Sequence, residues 1–184
     1  DKNIAVLSRG YKRKSKGFQQ VTVEGSTEDF GDEPLQIKRK FPQITVAVDK
    51  SRKEGCQFLS NPELLKTSKK ARRCMHKEFP KADLIILDDA FQHRALKPTV
   101  SVVLVDYNRP IYEDALMPTG MLREPKSSLS RAHVFIVTKC PEDIKPIDFR
   151  IVAKNLELRP YQRLYFTSFA YGDLTNFKNK ESIR

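Results

Sequence analysis

Two adjacent carboxylates, Asp88 and Asp89, follow the unbroken apolar run Leu84-Ile85-Ile86-Leu87 and precede Ala90-Phe91-Gln92-His93. Neighbouring carboxylates repel each other unless a cation sits close to both. A Mg²⁺ ion carrying nucleotide phosphates is one such cation, and an acid after an apolar strand is how many P-loop enzymes hold it. The plainer alternative is a solvated turn in which Asp89 caps the next segment. His93, just past the pair, is a candidate contact to the same site. A further acid, Asp32, stands in Gly31-Asp32-Glu33-Pro34. It suits the N-cap of a helix running to about Lys40, with Pro34 in the first turn. It also suits a general base held at a helix start, facing a substrate hydroxyl.

The elements that position these acids are legible as apolar runs. Leu84 to Leu87 predicts a strand buried on both faces, as in the centre of a parallel sheet. Ligands of such sheets bind beyond the carboxyl ends of the strands, where Asp88 and Asp89 fall. Further strands are expected at Ile4 to Leu7, Ile44 to Val48, Val100 to Asp106 and Val134 to Lys139, the third also buried and ending in a carboxylate. A helix opens at Asp49-Lys50-Ser51-Arg52 and ends near Ser60, and helical spacing continues from Asn61 to Phe79. Leu129 to Ala132 suggests a short helix. Beyond Pro146 the pattern changes, with strands expected at Ile151 to Ala153 and Leu164 to Phe169, and a frayed polar tail from Asn176. Strands alternating with helices predict a doubly wound, mostly parallel α/β sheet.

Several chemistries are excluded by motif. None of the seven glycines is followed by lysine, so the phosphate-cradling G-x-x-x-x-G-K-[ST] loop does not occur in these 184 residues. Neither G-x-G-x-x-G nor the serine-hydrolase G-x-S-x-G is present. His76, His93 and His133 lack metal-ligand spacing, and Cys56, Cys74 and Cys140 form no C-x-x-C pair. Widely spaced cysteines, odd in number, fit a reducing cytosol. The net charge of +11 and pI near 9.6 favour anionic partners: nucleotide, phosphorylated substrate, acidic membrane surface or nucleic acid. A basic nucleic-acid module would show interleaved aromatics or a reading motif, and neither is seen, so no nucleic-acid partner is expected. The basic loop Lys12 to Gly17 reads as solvated on composition, with a phosphate grip as its alternative.

Four segments together carry a resemblance. Leu7-Ser8-Arg9-Gly10-Tyr11, Gly31-Asp32-Glu33-Pro34, Asp88-Asp89-Ala90-Phe91-Gln92-His93 and Leu122-Arg123-Glu124-Pro125, in this order, resemble the tetraacyldisaccharide 4'-kinases, the lipid A kinases of Gram-negative bacteria. The resemblance extends to about Gly172. It implies a P-loop-kinase-like fold that uses ATP and Mg²⁺ to phosphorylate the 4'-hydroxyl of a lipid A disaccharide precursor. It implies a peripheral enzyme at the anionic cytoplasmic face of the bacterial inner membrane, although this chain itself is expected to be soluble. By motif, Asp32 resembles the general base, Asp88 and Asp89 the metal-binding carboxylates, and Arg123 and Glu124 catalytic residues near the phosphates. Ser8, Arg9 and His93 are implied at the nucleotide. Ala90 and Lys12 stand where the family commonly has glycine. The resemblance also implies that the phosphate loop and a membrane-facing helix precede Asp1, and that a histidine partnering the base follows Arg184. Residues 1–145 are then the core and 146–184 linker strands and the start of a smaller subdomain, and the isolated chain is expected to be inactive. Another P-loop ATPase or kinase with a similar acidic strand end is the alternative.

Overall fold

A computed structural model describes residues 2–172, 174–175 and 182–183. They form mixed α/β structure with parallel sheets, in two compact units, 1–97 and 98–184.

The first unit runs β1 (Ile4–Ser8), β2 (Gln19–Gln20), α1 (Thr27–Phe30), α2 (Asp32–Lys40), β3 (Thr45–Val48), α3 (Arg52–Ser60), α4 (Leu64–Thr67) and β4 (Leu84–Leu87). Its sheet has the order β2-β3-β1-β4, parallel except for β2. The pairing of Val6 with Val46 and Leu7 with Ala47 sorts the side chains by face. Val6, Val46 and Val48 pack with Phe30 and Leu35 beneath α1 and α2. Ala5, Leu7 and Ala47 pack with Phe58 and Leu59 of α3, and with Phe18 and Leu65. The sheet therefore has helices on both faces, which is what continuous apolar strands require.

β4 differs from expectation. Ile85 and Leu87 lie against the α3-side core, but Leu84 and Ile86 are each 49% exposed. The strand is at the edge of its sheet, bonded to β1, while α2 lies over β3. Apolar composition specified a strand; it did not specify how many neighbours the strand has. The helix expected over 61–79 is also shortened, to α4 and a 3₁₀ turn at Lys69–Arg73. Like charges three and four apart, such as Lys66, Lys69 and Arg73, destabilise a longer helix.

The second unit runs β5 (Val102–Asp106), a 3₁₀ turn (Lys126–Arg131), β6 (Val134–Thr138), α5 (Pro146–Asn155) and β7 (Arg163–Phe166), with β8 (Leu174–Thr175) antiparallel to β9 (Ser182–Ile183). β5, β6 and β7 form a parallel sheet in that order. Phe149 of α5 meets Phe166 edge to face at 4.5 Å between ring centres. The buried Gln162 side chain donates to the carbonyls of Leu129 and Ala132, both at 2.9 Å, tying the 3₁₀ turn to the base of β7. Two expectations fail here. Ile151 to Ala153 is helical, because Pro146 opens α5 and the Asp148 carboxylate accepts the Lys145 N–H at 3.0 Å. The β-branched pair that suggested a strand is overridden by this start signal. β5 is not fully buried either: Val102 and Leu104 are 48% and 65% exposed on an edge strand. The tail expected to fray from Asn176 lies, apart from Ser182–Ile183, outside the described residues.

Candidate active site

Three parallel strands of the first unit deliver their carboxyl ends to one edge. β1 ends at the buried Ser8, whose carbonyl accepts the Asp49 N–H at 3.0 Å beyond β3. The Asp88 N–H continues the ladder from β4 to the Leu7 carbonyl, also at 3.0 Å. Ser8, Arg9, Asp49, Asp88 and Asp89 therefore share this edge. Asp88 is half-buried and Asp89 is exposed, the latter in left-handed backbone with φ 42°. Aspartate tolerates that conformation better than most residues. The turn closes with the His93 N–H donating to the Ala90 carbonyl at 2.8 Å. Nε2 of His93 and Oε1 of Gln92 are buried without a hydrogen-bond partner.

Gly31, the residue before Asp32, contacts the loop that follows β1, but no contact joins the Asp32 side chain to the strand-end residues among those described. Gly10 and Gly31 both have positive φ, 69° and 90°. A β-carbon on Gly31 would lie 3.2 Å from the Tyr11 carbonyl oxygen and 3.5 Å from the Gly10 Cα. The loop after β1 thus packs directly on the start of α2. The expected capping role of Asp32 is corrected: Gly31 occupies the N-cap and Asp32 is the first helical residue. The cause lies just upstream, where Ser26 caps the unforeseen α1, accepting the Asp29 N–H at 3.1 Å, and α1 runs through Gly31 into α2. Asp32 is exposed at the positive end of α2, where a carboxylate is favoured. It lines a hollow of about 560 Å³ with Thr27, Leu35, Gln36, Arg39 and Lys40.

Asp49 and Arg52 were not singled out by the motifs. Both are buried, at 2% and 3% exposure. Arg52 donates from Nη1 to the Asp49 carbonyl at 3.0 Å and from Nη2 to the Asp88 carbonyl at 2.7 Å. Burial pushes the Arg52 pKa down, and the charges of Asp88 and Asp89 oppose this. Burial likewise pushes the Asp49 carboxyl up, against the bond it accepts from the Ser51 N–H. The available sequence signal was the repeated pattern of an acid directly after an apolar strand, at Asp49 as at Asp88 and Asp106. The basic loop is also more than solvated charge. Arg13 is half-buried and donates to the Ser15 hydroxyl at 3.0 Å and the Gly17 carbonyl at 2.6 Å.

Arg123 and Glu124 belong to the second unit. Arg123 is exposed, and Glu124 forms an ion pair with Arg131 of the following 3₁₀ turn. The preceding loop is organised by Asp114, which accepts the Ala115 and Met121 N–H groups at 2.8 and 3.1 Å and pairs with Arg109 at 3.0 Å. Asp106, at the end of β5, is paired with Lys139.

Among the described residues, no three His, Cys, Asp or Glu side chains converge as a metal site. An adjacent carboxylate pair suits Mg²⁺ in a different way: the ion keeps water and takes phosphate oxygens, so one or two protein carboxylates suffice. Strand-end acids with a buried arginine fit phosphate chemistry but do not select one reaction.

Comparison with known proteins narrows the choice. A family model described as tetraacyldisaccharide-1-P 4'-kinase matches residues 1–171. The chain belongs to that family. Curated relatives named tetraacyldisaccharide 4'-kinase include one from Phocaeicola vulgatus, 51% identical over 95% of this chain and 44% of its own length. One from Bacteroides thetaiotaomicron is 47% identical over 94% of this chain and 41% of its own. One from Flavobacterium psychrophilum is 39% identical over 96% and 48%. The chain thus spans less than half the length of these relatives. No solved structure matches it.

Proposed function

We propose that the whole protein carrying this chain transfers the γ-phosphate of ATP to the 4'-hydroxyl of a tetraacyldisaccharide 1-phosphate. The observation that carries this reading is the family match along residues 1–171, which includes the strand-end acids and Asp32. On this reading Asp32 accepts the proton of the attacking hydroxyl from the head of α2. Asp88 and Asp89 hold Mg²⁺, which when bound neutralises charge on the transferring phosphate. Arg123 and Glu124 act near the phosphates, and Ser8, Arg9 and His93 border the nucleotide. Phosphoryl transfer depends mostly on positioning and charge stabilisation, which fixed carboxylates and arginines can supply.

The proposed parent fold is a P-loop-type kinase with a doubly wound core in 1–145 and a smaller subdomain beginning within 146–184. Its phosphate loop would come from outside these 184 residues, since no glycine here precedes lysine. The proposed setting is the cytoplasmic face of the inner membrane, where a charge of +11 favours an anionic surface. Among the described residues, no helix is long and apolar enough to cross a membrane.

The test is product identification. The full-length protein is incubated with ATP, Mg²⁺ and tetraacyldisaccharide 1-phosphate, and the lipid is analysed by ³¹P NMR. A new phosphomonoester on the 4' carbon is expected. Phosphate at another position, or none above a no-protein control, contradicts the proposal.

A further inference from the structure

A buried arginine connects the ends of two strands beside the acidic pair, and its geometry fixes more than stability. Arg52 is the first residue of α3, only 3% exposed. Its guanidinium holds the Asp49 carbonyl just past β3 and the Asp88 carbonyl just past β4. The planar fork of arginine can bind two acceptors at fixed angles; a lysine ammonium cannot reproduce that. The Asp88 carbonyl belongs to the peptide plane that leads into Asp89. Holding that carbonyl orients the plane from which Asp89 departs at φ 42°. That backbone region is sparsely populated for residues other than glycine and persists where surrounding contacts impose it. The Asp88 N–H, bound to Leu7, fixes the other side of the same residue. Between them, β1 and Arg52 hold the backbone on both sides of Asp88, from which both carboxylates depart.

We propose that Arg52 is a positioning residue for phosphoryl transfer, locking the Asp88–Asp89 turn so that both carboxylates present to one metal ion. This rests on the kinase reading above. It also predicts how loss of Arg52 differs from simple destabilisation. A structural staple, once removed, lowers the melting temperature but leaves the Mg²⁺ dependence of the remaining folded enzyme unchanged. A positioning residue changes that dependence.

The test uses full-length protein carrying Arg52→Gln and Arg52→Lys. Initial rates are measured against Mg²⁺ at saturating ATP, and amide hydrogen exchange is followed at Asp88. For Arg52→Gln the half-saturating Mg²⁺ should rise about tenfold or more and turnover should fall, with KM for the lipid acceptor unchanged. Arg52→Lys, reaching one carbonyl rather than two, should fall between that variant and wild type. Exchange at Asp88 should quicken in Arg52→Gln while amides within β3 keep their protection. If Arg52→Gln does not fold, Arg52→Lys carries the same comparison. An unchanged Mg²⁺ dependence overturns the proposal, whatever happens to the melting temperature. If the wild type transfers no phosphate, the kinase reading fails by itself. Unchanged exchange at Asp88 would then overturn the positioning role independently.

Discussion

Gly31 abuts Gly10: a β-carbon there would sit 3.5 Å from the Gly10 Cα, in ordinary contact, so the backbone angle rather than the space calls for glycine. A β-carbon at Gly31 would meet the Tyr11 carbonyl oxygen at 3.2 Å, and its φ of 90° with ψ of 161° is open almost only to glycine. Gly31→Ala should therefore cost about 1–3 kcal/mol, read as a lower urea midpoint. It should also reduce phosphate transfer in the folded fraction, because Gly31 joins the loop after β1 to the start of α2, which carries Asp32. Unchanged stability would mean that the two loops separate without cost.

Asp32 is the first helical residue, not the cap, so its charge can be removed without dismantling the start of α2. Asp32→Asn in the full-length protein should leave the melting temperature within a degree or two. Turnover should fall by ~10²–10⁴, the usual range for loss of a general base. Full activity with Asn would return Asp32 to a helix-dipole role.

Asp49 gives a pH signature. Burial raises its native pKa above the unfolded value of about 3.9. Below that value both states hold the proton and the group contributes no pH dependence. As pH rises, the unfolded chain ionises first, so the native state binds more protons and stability falls until pH passes the raised native pKa. Asp106 and Asp114 have the opposite slope, because Lys139 and the Met121 N–H respectively hold their carboxyls low. The variant difference isolates Asp49: the stability of Asp49→Asn minus wild type should increase with pH from about 4 upward and then level. Urea unfolding between pH 3.5 and 7 measures it, and a flat or falling difference contradicts the burial argument.

Much of this arrangement was readable in the residues. The unbroken runs at Ile4, Ile44, Leu84, Val100 and Val134 became strands, and parallel pairing brought Ser8 and Arg9 at the end of β1 to one edge with the acids after β3 and β4. Other features depended on partners distant in sequence. Arg52 reads as one more surface cation until its bond to Asp88, 36 residues away, buries it. The half-open faces of Leu84 and Leu104 depend on sheet order, which an apolar run does not encode. Ile151 to Ala153 carries a β-branched run that suggests a strand, but the helix start at Pro146 and Asp148 prevails. Gly31 took the capping position because α1, only four residues long, leaves too short a periodic signal to detect.

The isolated 184-residue chain tests where the phosphate grip resides. Backbone N–H groups and a lysine of a phosphate loop normally supply most of that grip. Asp88 and Asp89 alone repel a triphosphate, and the basic loop from Arg9 to Lys16 offers salt-screened attraction. Titration calorimetry at 0.15 M salt should show Mg-ATP binding no tighter than about millimolar, roughly 4 kcal/mol. A micromolar dissociation constant would locate a phosphate site within this chain.

Asp88 and Asp89 are the centre of the proposed phosphoryl-transfer site. The decisive measurement is the initial rate of label transfer from [γ-³²P]ATP to the lipid acceptor by full-length Asp88→Asn and Asp89→Asn, beside wild type. Asparagine tolerates the left-handed backbone of Asp89 as aspartate does, so the turn should survive and the melting temperature should hold. Each variant should lose at least ~10²-fold in turnover, as expected when charge stabilisation at a metal–phosphate centre is removed. Near wild-type turnover in either variant would contradict the role assigned to that carboxylate.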